Sequence, residues 1–593
     1  MKSLPARRVL AAGIGAATLA SVVVVGTTSA SAAPAKPTPA GPPPVELQLL
    51  ALNDFHGQLQ PPTGSSSTLP GYPDPDGPGP GVAQPFGGAE YLATQVKALE
   101  AETKKQNTLT VAAGDLIGAS PLLSAAFHDE PAIEALNLIG LDYASVGNHE
   151  FDEGSDELLR MQNGGCLEED SCPDPNRPFQ GADFQYLSAN AFYEGGETLL
   201  PPYSIQKVQG IKVGIIGMTL EGTPSIVTPS GVAGLDFADE AATANEYAAE
   251  LQAQGVEAIV VLMHEGGQQN GATSVDGCNN LTGPVTQIVP QMSDAIDVVV
   301  TGHTHQAYNC TIDDRLVTSA SSAGRLVTDI DLTLDRRTGD VLTSVADNVP
   351  VSRDVPADAG QTELIARYNE FVAPIANQPV GTAATALPNA PRDVLFQAGG
   401  SPILGESPMG NLIADAMLAA TAGDAVAALM NPGGVRGSID AGPITYGESF
   451  TVQPFGNYLS TITLTDSQLL CVLEQQFAVG GVNRNVLQPA GLTYSVDPNG
   501  ISSTVAAPCS GTRVPDSSVV INGQNLLTDG LPSYRVTVNN FLADGGDGFT
   551  LLTQGTNRVD VADPEDDLAA LVEYFGARPN ISAPATDRIT VLP

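Results

Sequence analysis

Six short apolar runs in the first half of the chain close on polar residues: VELQLLALND (45–54), TLTVAAGD (108–115), YASVGNHE (143–150), KVGIIGMT (212–219), EAIVVLMHE (257–265) and DVVVTGHTH (297–305). Runs of this length, rich in branched residues and free of proline, read as strands buried on both faces. Between them GGAEYLATQVKALEAETKK (87–105) and ADEAATANEYAAELQAQG (238–255) carry helical spacing and end near polar residues or glycine. Alternation of this kind predicts an α/β fold with a largely parallel sheet covered on both faces. In such sheets ligands gather at the carboxyl ends of the strands, which is where the polar residues stand.

With 593 residues the chain is too long for one core, and two large domains are expected. After a β-rich stretch ending near Pro350, the segment 350–378 reads as a linker helix between turn residues. That gives domains over 45–349 and 379–593, the second with fewer long helices and many short β runs. The stretch 61–86, dense in proline and glycine, reads as a surface loop. At the amino terminus Lys2, Arg7 and Arg8 precede an apolar run and Ala30-Ser31-Ala32, the pattern of a signal peptide over 1–32, followed by a Pro/Ala-rich linker over 33–44. No later segment is long and apolar enough for a membrane anchor in the mature chain, so an exported protein is expected, secreted or held at the cell wall. Six cysteines suit that compartment, and the simplest of their 15 pairings is sequential: Cys166 with Cys172, Cys278 with Cys310, Cys471 with Cys509. A formal net charge of -41 repels long polyanions and argues against a nucleic-acid polymer as partner. A small phosphate ester remains compatible, because a metal or arginine reverses the sign inside one cleft.

The strand ends hold Asp54 and His56, then Asp115, then Asn148, His149 and Asp152, then His264, then His303 and His305. Five of the six histidines in the protein occupy these positions, His128 being the exception, so a shared site outweighs separate structural roles. Imidazole and oxygen donors without thiolate suit Zn, Mn, Fe, Co or Ni, and a shared carboxylate suits two ions about 3.5–4 Å apart.

This order, DxH, GD, GNHEFD, H and GHTH, resembles the calcineurin-like metallophosphoesterases. The resemblance implies a four-layer α/β/β/α domain. It places Asp54, His56 and His305 on one divalent metal, Asn148, His264 and His303 on the other, and Asp115 between them, with His149 and Asp152 as a catalytic dyad. The second half adds ESPMGNLIADAM (406–417), MNPGGVRGSID (430–440), VQPFGNYL (452–459) and NNFLADGGDGF (539–549). With the first half, these resemble the secreted bacterial 5'-nucleotidase family over nearly the whole mature chain.

Phe455 and Phe541 stand in or beside glycine-containing loops, where two rings can sandwich a base, and Arg436 follows a flexible PGG from which it can meet a phosphate. The resemblance implies a C-terminal α+β nucleotide-binding domain in which Asn431 touches the base, Arg436 the phosphate and Asp547 the ribose hydroxyls. Where some family members carry an arginine before the Glu of the first of these motifs, this chain has Gly405, which removes a phosphate contact or leaves it to Arg392. The implied activity is removal of phosphate from nucleoside 5'-monophosphates by metal-activated water. The alternatives are a 2',3'-cyclic nucleotide phosphodiesterase with 3'-nucleotidase activity, a UDP-sugar hydrolase, or an exported nucleotide-binding protein without turnover.

Overall fold

In the computed structural model the described residues are 43–593 apart from 63–66, 70–84, 104, 168–176, 271–273, 391–393, 399–400, 479–485 and 529. The leader, most of the proline-rich loop, Cys172 and Arg392 lie outside the described residues.

The apolar runs of the first half are all strands, and they build two six-stranded sheets rather than one. The first is ordered 341–350, 326–334, 45–52, 108–113, 143–145, 185–187; the last four are parallel neighbours. The second is ordered 307–312, 315–320, 298–301, 258–264, 211–219, 203–208, with its four central strands parallel. Side chains alternate across each strand. Leu47, Leu49 and Val111 therefore meet Val213, Val260 and Val298 in a core between the sheets. Leu50, Leu52 and Ala112 turn the other way, onto Leu92, Ile133, Leu158 and Leu364 of the covering helices. Ile216, Ile259 and Val299 pack on Ala244, Ala248 and Leu251 of the helix Glu240–Ala253. The layers are thus helix, sheet, sheet, helix. This is the four-layer α/β/β/α arrangement that the motif resemblance implies; the apolar runs alone suggested one sheet, because a strand covered by a second sheet has the same apolar run as one covered by a helix.

Local capping places the helices. Asp239 accepts from the backbone of Ala242 at the start of helix Glu240–Ala253, and Asp358 accepts from Gly360 and Gln361 at the start of helix Ala359–Ala376. The latter lies between the two halves of the sequence and packs Leu364, Tyr368 and Val372 into the core between the first sheet and its covering helices.

The second half is built on a five-stranded sheet ordered 488–490, 427–430, 533–539, 458–465, 556–566, beside a four-stranded sheet. Strands 427–430 and 533–539 are parallel, so their carboxyl ends lie side by side and deliver Asn431 and Asn539 to one edge. The disulfides Cys278–Cys310 and Cys471–Cys509 are formed as expected.

Candidate active site

The parallel strands bring all seven expected metal ligands to one place. Asp54 and His56 follow strand 45–52, Asp115 follows 108–113, Asn148 follows 143–145, His264 ends 258–264, and His303 and His305 follow 298–301. Donor atoms of Asp54, His56 and His305 lie within 4.8 Å of one another, as do those of Asp115, His264 and His303. Asp115 sits between the sets, its Oδ2 3.0 Å from His264 Nε2 and 3.7 Å from His56 Nε2. Asn148 Oδ1 lies 3.0 Å from His303 Nδ1.

The backbone is shaped for this convergence. Asp54, His56, Asp115, His303 and His305 all have positive φ, between 48° and 69°, a region that L-residues avoid at a cost of about 1–2 kcal/mol each. Such strain persists where the surroundings over-determine it, and it clusters at functional sites. Gly114 must be glycine, since a Cβ there would meet His264 Nδ1 at 2.6 Å and Gly147 N at 2.7 Å.

Two of the imidazoles are aimed by their other nitrogen. His264 Nδ1 is 2.7 Å from the Ala113 carbonyl, to which it donates, so that Nε2 is left facing the Asp115 carboxylate at 3.0 Å. His56 Nδ1 likewise faces the Gly118 carbonyl at 2.9 Å, and its Nε2 is 3.0 Å from His305 Nε2. Two ring nitrogens and the Asp54 oxygen, 3.3 Å from His305 Nε2, crowd one small space. This donor set fits divalent ions of the Zn or Mn type.

Electrostatics agree. Burial pushes the Asp115 carboxyl up, but the imidazoles of His264 and His149 more than reverse it and hold it well below the usual carboxylate range. Burial pulls His264 down, and Asp115 beside it wins, raising it to about 10.

One carboxylate that the sequence reading left without a role organises the two loops. Glu150, buried in the GNHE motif, accepts the backbone N–H of Gly147 at 2.5 Å, of Asp115 at 2.9 Å and of Leu116 at 2.8 Å. The residue stands inside the GNHE motif, but its contacts to Asp115 and Leu116 are long-range and leave no periodic signal.

His149 Nδ1 bonds Asp152 Oδ2 at 2.7 Å. Burial lowers its pKa and the carboxylates of Asp152 and Asp115 overcome that, so it lies above the ordinary histidine value. A Cβ on Gly118 would meet His149 Cβ at 2.7 Å and Asp152 Oδ2 at 2.8 Å, so the loop closes tightly on the pair.

A cleft of about 700 Å³ joins this centre to the second half, lined by His149, Asp152 and His303 on one side and by Asn431, Arg436, Phe455, Phe541 and Asp547 on the other. All five expected substrate-side residues are therefore brought to it. Phe455 stacks on the His149 imidazole at 5.7 Å between centroids and 13° between planes, and Arg436 lies 5.8 Å over the Phe455 ring. Asn431 Nδ2 donates to Asp547 Oδ2 at 2.9 Å and its Oδ1 accepts from Asn539 at 3.0 Å, leaving one amide hydrogen for a ligand. Asn457, Asn539 and Glu265 also line the cleft and were not singled out from sequence. Gly405 is buried, and among the described lining residues Arg436 is the one cationic side chain.

Comparison with known proteins gives the family. Residues 47–307 match the calcineurin-like phosphoesterase family and residues 380–554 the 5'-nucleotidase C-terminal domain. The chain is similar to Endonuclease YhcR of Bacillus subtilis, 34% identical over 89% of this chain but only 39% of that protein. It is similar to Cell wall protein Lmo0130 of Listeria monocytogenes, 29% identical over 88% of this chain and 66% of that one. The chain thus spans less than two thirds of the length of both relatives. The crystal structure of the 5'-nucleotidase precursor from Thermus thermophilus superposes with a TM-score of 0.72 at 27% identity, covering 92% of this chain and 99% of that one. The chain belongs to the 5'-nucleotidase family, with a calcineurin-like phosphoesterase domain followed by a 5'-nucleotidase C-terminal domain.

Proposed function

We propose that this protein is an exported phosphohydrolase that releases phosphate from nucleoside 5'-monophosphates at a dinuclear metal centre. The observation that carries this reading is that Arg436 and Phe455 of the second half share one cleft with His149 and the clustered metal ligands.

Asp54, His56 and His305 would hold one divalent ion, Asn148, His264 and His303 a second, with Asp115 between them. When bound, such a pair supplies Lewis-acid charge to phosphoryl oxygens and lowers the pKa of a water to be used as nucleophile. Arg436 meets the phosphate with its planar fork. Burial lowers the pKa of its guanidinium, and Asp115, Asp152 and Asp54 counter that, so it remains charged against the centre. His149, with Nδ1 spent on Asp152, presents Nε2 to the phosphoryl group, where its proton steadies developing charge or passes to the leaving oxygen. Phe455 and Phe541 would hold the base, Asp547 the ribose hydroxyls, and the free amide hydrogen of Asn431 the base edge.

Export is supported by the signal-like leader, by disulfides that form in oxidising compartments, and by similarity to a cell wall protein. Among the described residues no helix is long and apolar enough to cross a membrane. A polymer substrate fits poorly with a net charge of -41, and the match to an endonuclease covers only 39% of that protein.

Side-by-side turnover of AMP, 2',3'-cyclic AMP and UDP-glucose tests the proposal. The reading expects the highest kcat/KM on AMP. Ring opening of the cyclic ester with AMP left intact would replace it with the phosphodiesterase reading.

A further inference from the structure

We infer that Phe455 is a positioning residue for His149, in addition to its place as a platform for the base. The inference rests on the phosphohydrolase reading above.

The imidazole of His149 is tied at Nδ1 by Asp152 at 2.7 Å, which fixes one direction and leaves the ring free to rock about that hydrogen bond. Two rings limit the rocking. The edge of His56 meets it at 5.2 Å and 74°, and the face of Phe455 lies nearly parallel at 5.7 Å and 13°. Both lie within the 4.5–7 Å range of favourable aromatic pairs. Asp152 and His56 come from the first half of the chain, and Phe455 alone comes from the second. Phe455 adds a nearly parallel ring from the other side of the cleft.

Nor is Phe455 spare core. It is half-buried, lines the cleft, and is followed by Gly456 at φ 62°, a turn that leaves the ring standing on its loop. Arg436 lies over the same ring at 5.8 Å. One phenyl group therefore touches the group that moves the proton and the group that meets the phosphate. A base seated on Phe455 bears on that same ring, so base recognition would raise kcat for a nucleotide over an ester without a base, and not only lower KM.

The test uses p-nitrophenyl phosphate, which has no base, beside AMP, on the full mature chain loaded with Mn or Zn. Phe455→Leu is expected to lower kcat on the aryl ester by about tenfold, the size of effect that loss of one aromatic pair can produce. Bound metal should stay at the wild-type level, and Phe455→Tyr should return kcat to within about threefold of wild type, since it restores the ring face. If Phe455→Leu does not fold, Phe455→Met, which is similar in volume but has no ring face, is read in the same way. Wild-type kcat on the aryl ester in the leucine variant, with only KM for AMP raised, would overturn the inference and leave the phosphohydrolase reading standing. So would a loss of turnover matched by a loss of bound metal. Absence of phosphate release from both esters by the wild type would overturn the reading and the inference together.

Discussion

The carboxylate of Glu150 accepts the backbone N–H of Asp115 at 2.9 Å, and through it the loops after two neighbouring strands are locked together. The same carboxylate takes Gly147 and Leu116, so the residue between the two metal sets and the residue just before Asn148 hang from one side chain. An amide in its place must set an N–H against at least one backbone N–H. Glu150→Gln should therefore weaken metal binding by about 10–100-fold, the usual cost of losing a group that orients ligands. Titration calorimetry with Mn or Zn against the apo chain measures this, and affinity unchanged within twofold would show the contact to be incidental.

His149 is expected to act on the phosphoryl group rather than to hold metal. His149→Ala should cut kcat by about 10²–10⁴ with two ions still bound, and Asp152→Asn by less. Metal content by mass spectrometry of the purified variants decides between the roles. Loss of an ion in His149→Ala would assign it to the ligands.

The two sides of the cleft should separate kinetically. Phe541→Ala should raise KM for AMP by about tenfold, in line with stacking worth roughly 1–3 kcal/mol per base, with little change for an ester that lacks a base. Arg436→Ala should weaken both esters, because its partner is the phosphate common to them. Equal losses on the two esters in Phe541→Ala would remove that ring from base binding.

Much of this site was legible in the chain before the fold was known. The spacing of His303 and His305, and the polar stop after each apolar run, pointed to the cluster of candidate ligands because parallel strands place their carboxyl ends together. The number of sheets was not legible in the apolar runs themselves and followed only from the motif resemblance. Leu49 and Leu50 are both fully buried, one between the sheets and one under helices, and neither apolar neighbour tells a strand which layer covers it. Glu150 and Asn539 escaped for another reason. Their work is done through hydrogen bonds to partners 34–35 and 108 positions away, which no local pattern encodes.

A buried acid at the edge of the cleft should make stability depend on pH. Asp567 is 2% exposed, and its Oδ2 lies 3.4 Å from Nδ2 of Asn457, which lines the cleft. Burial, with Asp566 beside it, pushes its carboxyl up from 3.8 to about 8. The folded state then binds the proton more tightly than the unfolded state. The contribution is full below the unfolded value and is lost as pH rises through the interval up to about 8. Asp567→Asn should flatten this slope and raise Tm at pH 8.5 by about 2–4 °C, as relief of roughly 1 kcal/mol would in a domain of this size. Differential scanning at pH 5 and 8.5 checks it, and an equal Tm difference at both would count against a neutral Asp567.

One cleft is expected to hold both a pair of divalent ions and a nucleotide. The most direct measurement is phosphate release from AMP by the chain starting at Ala33, with bound Mn or Zn counted in the same sample. Two ions per chain are expected, with steady release that chelation abolishes and metal restores. Two bound ions with no release from AMP would contradict it, as would release that survives complete removal of metal.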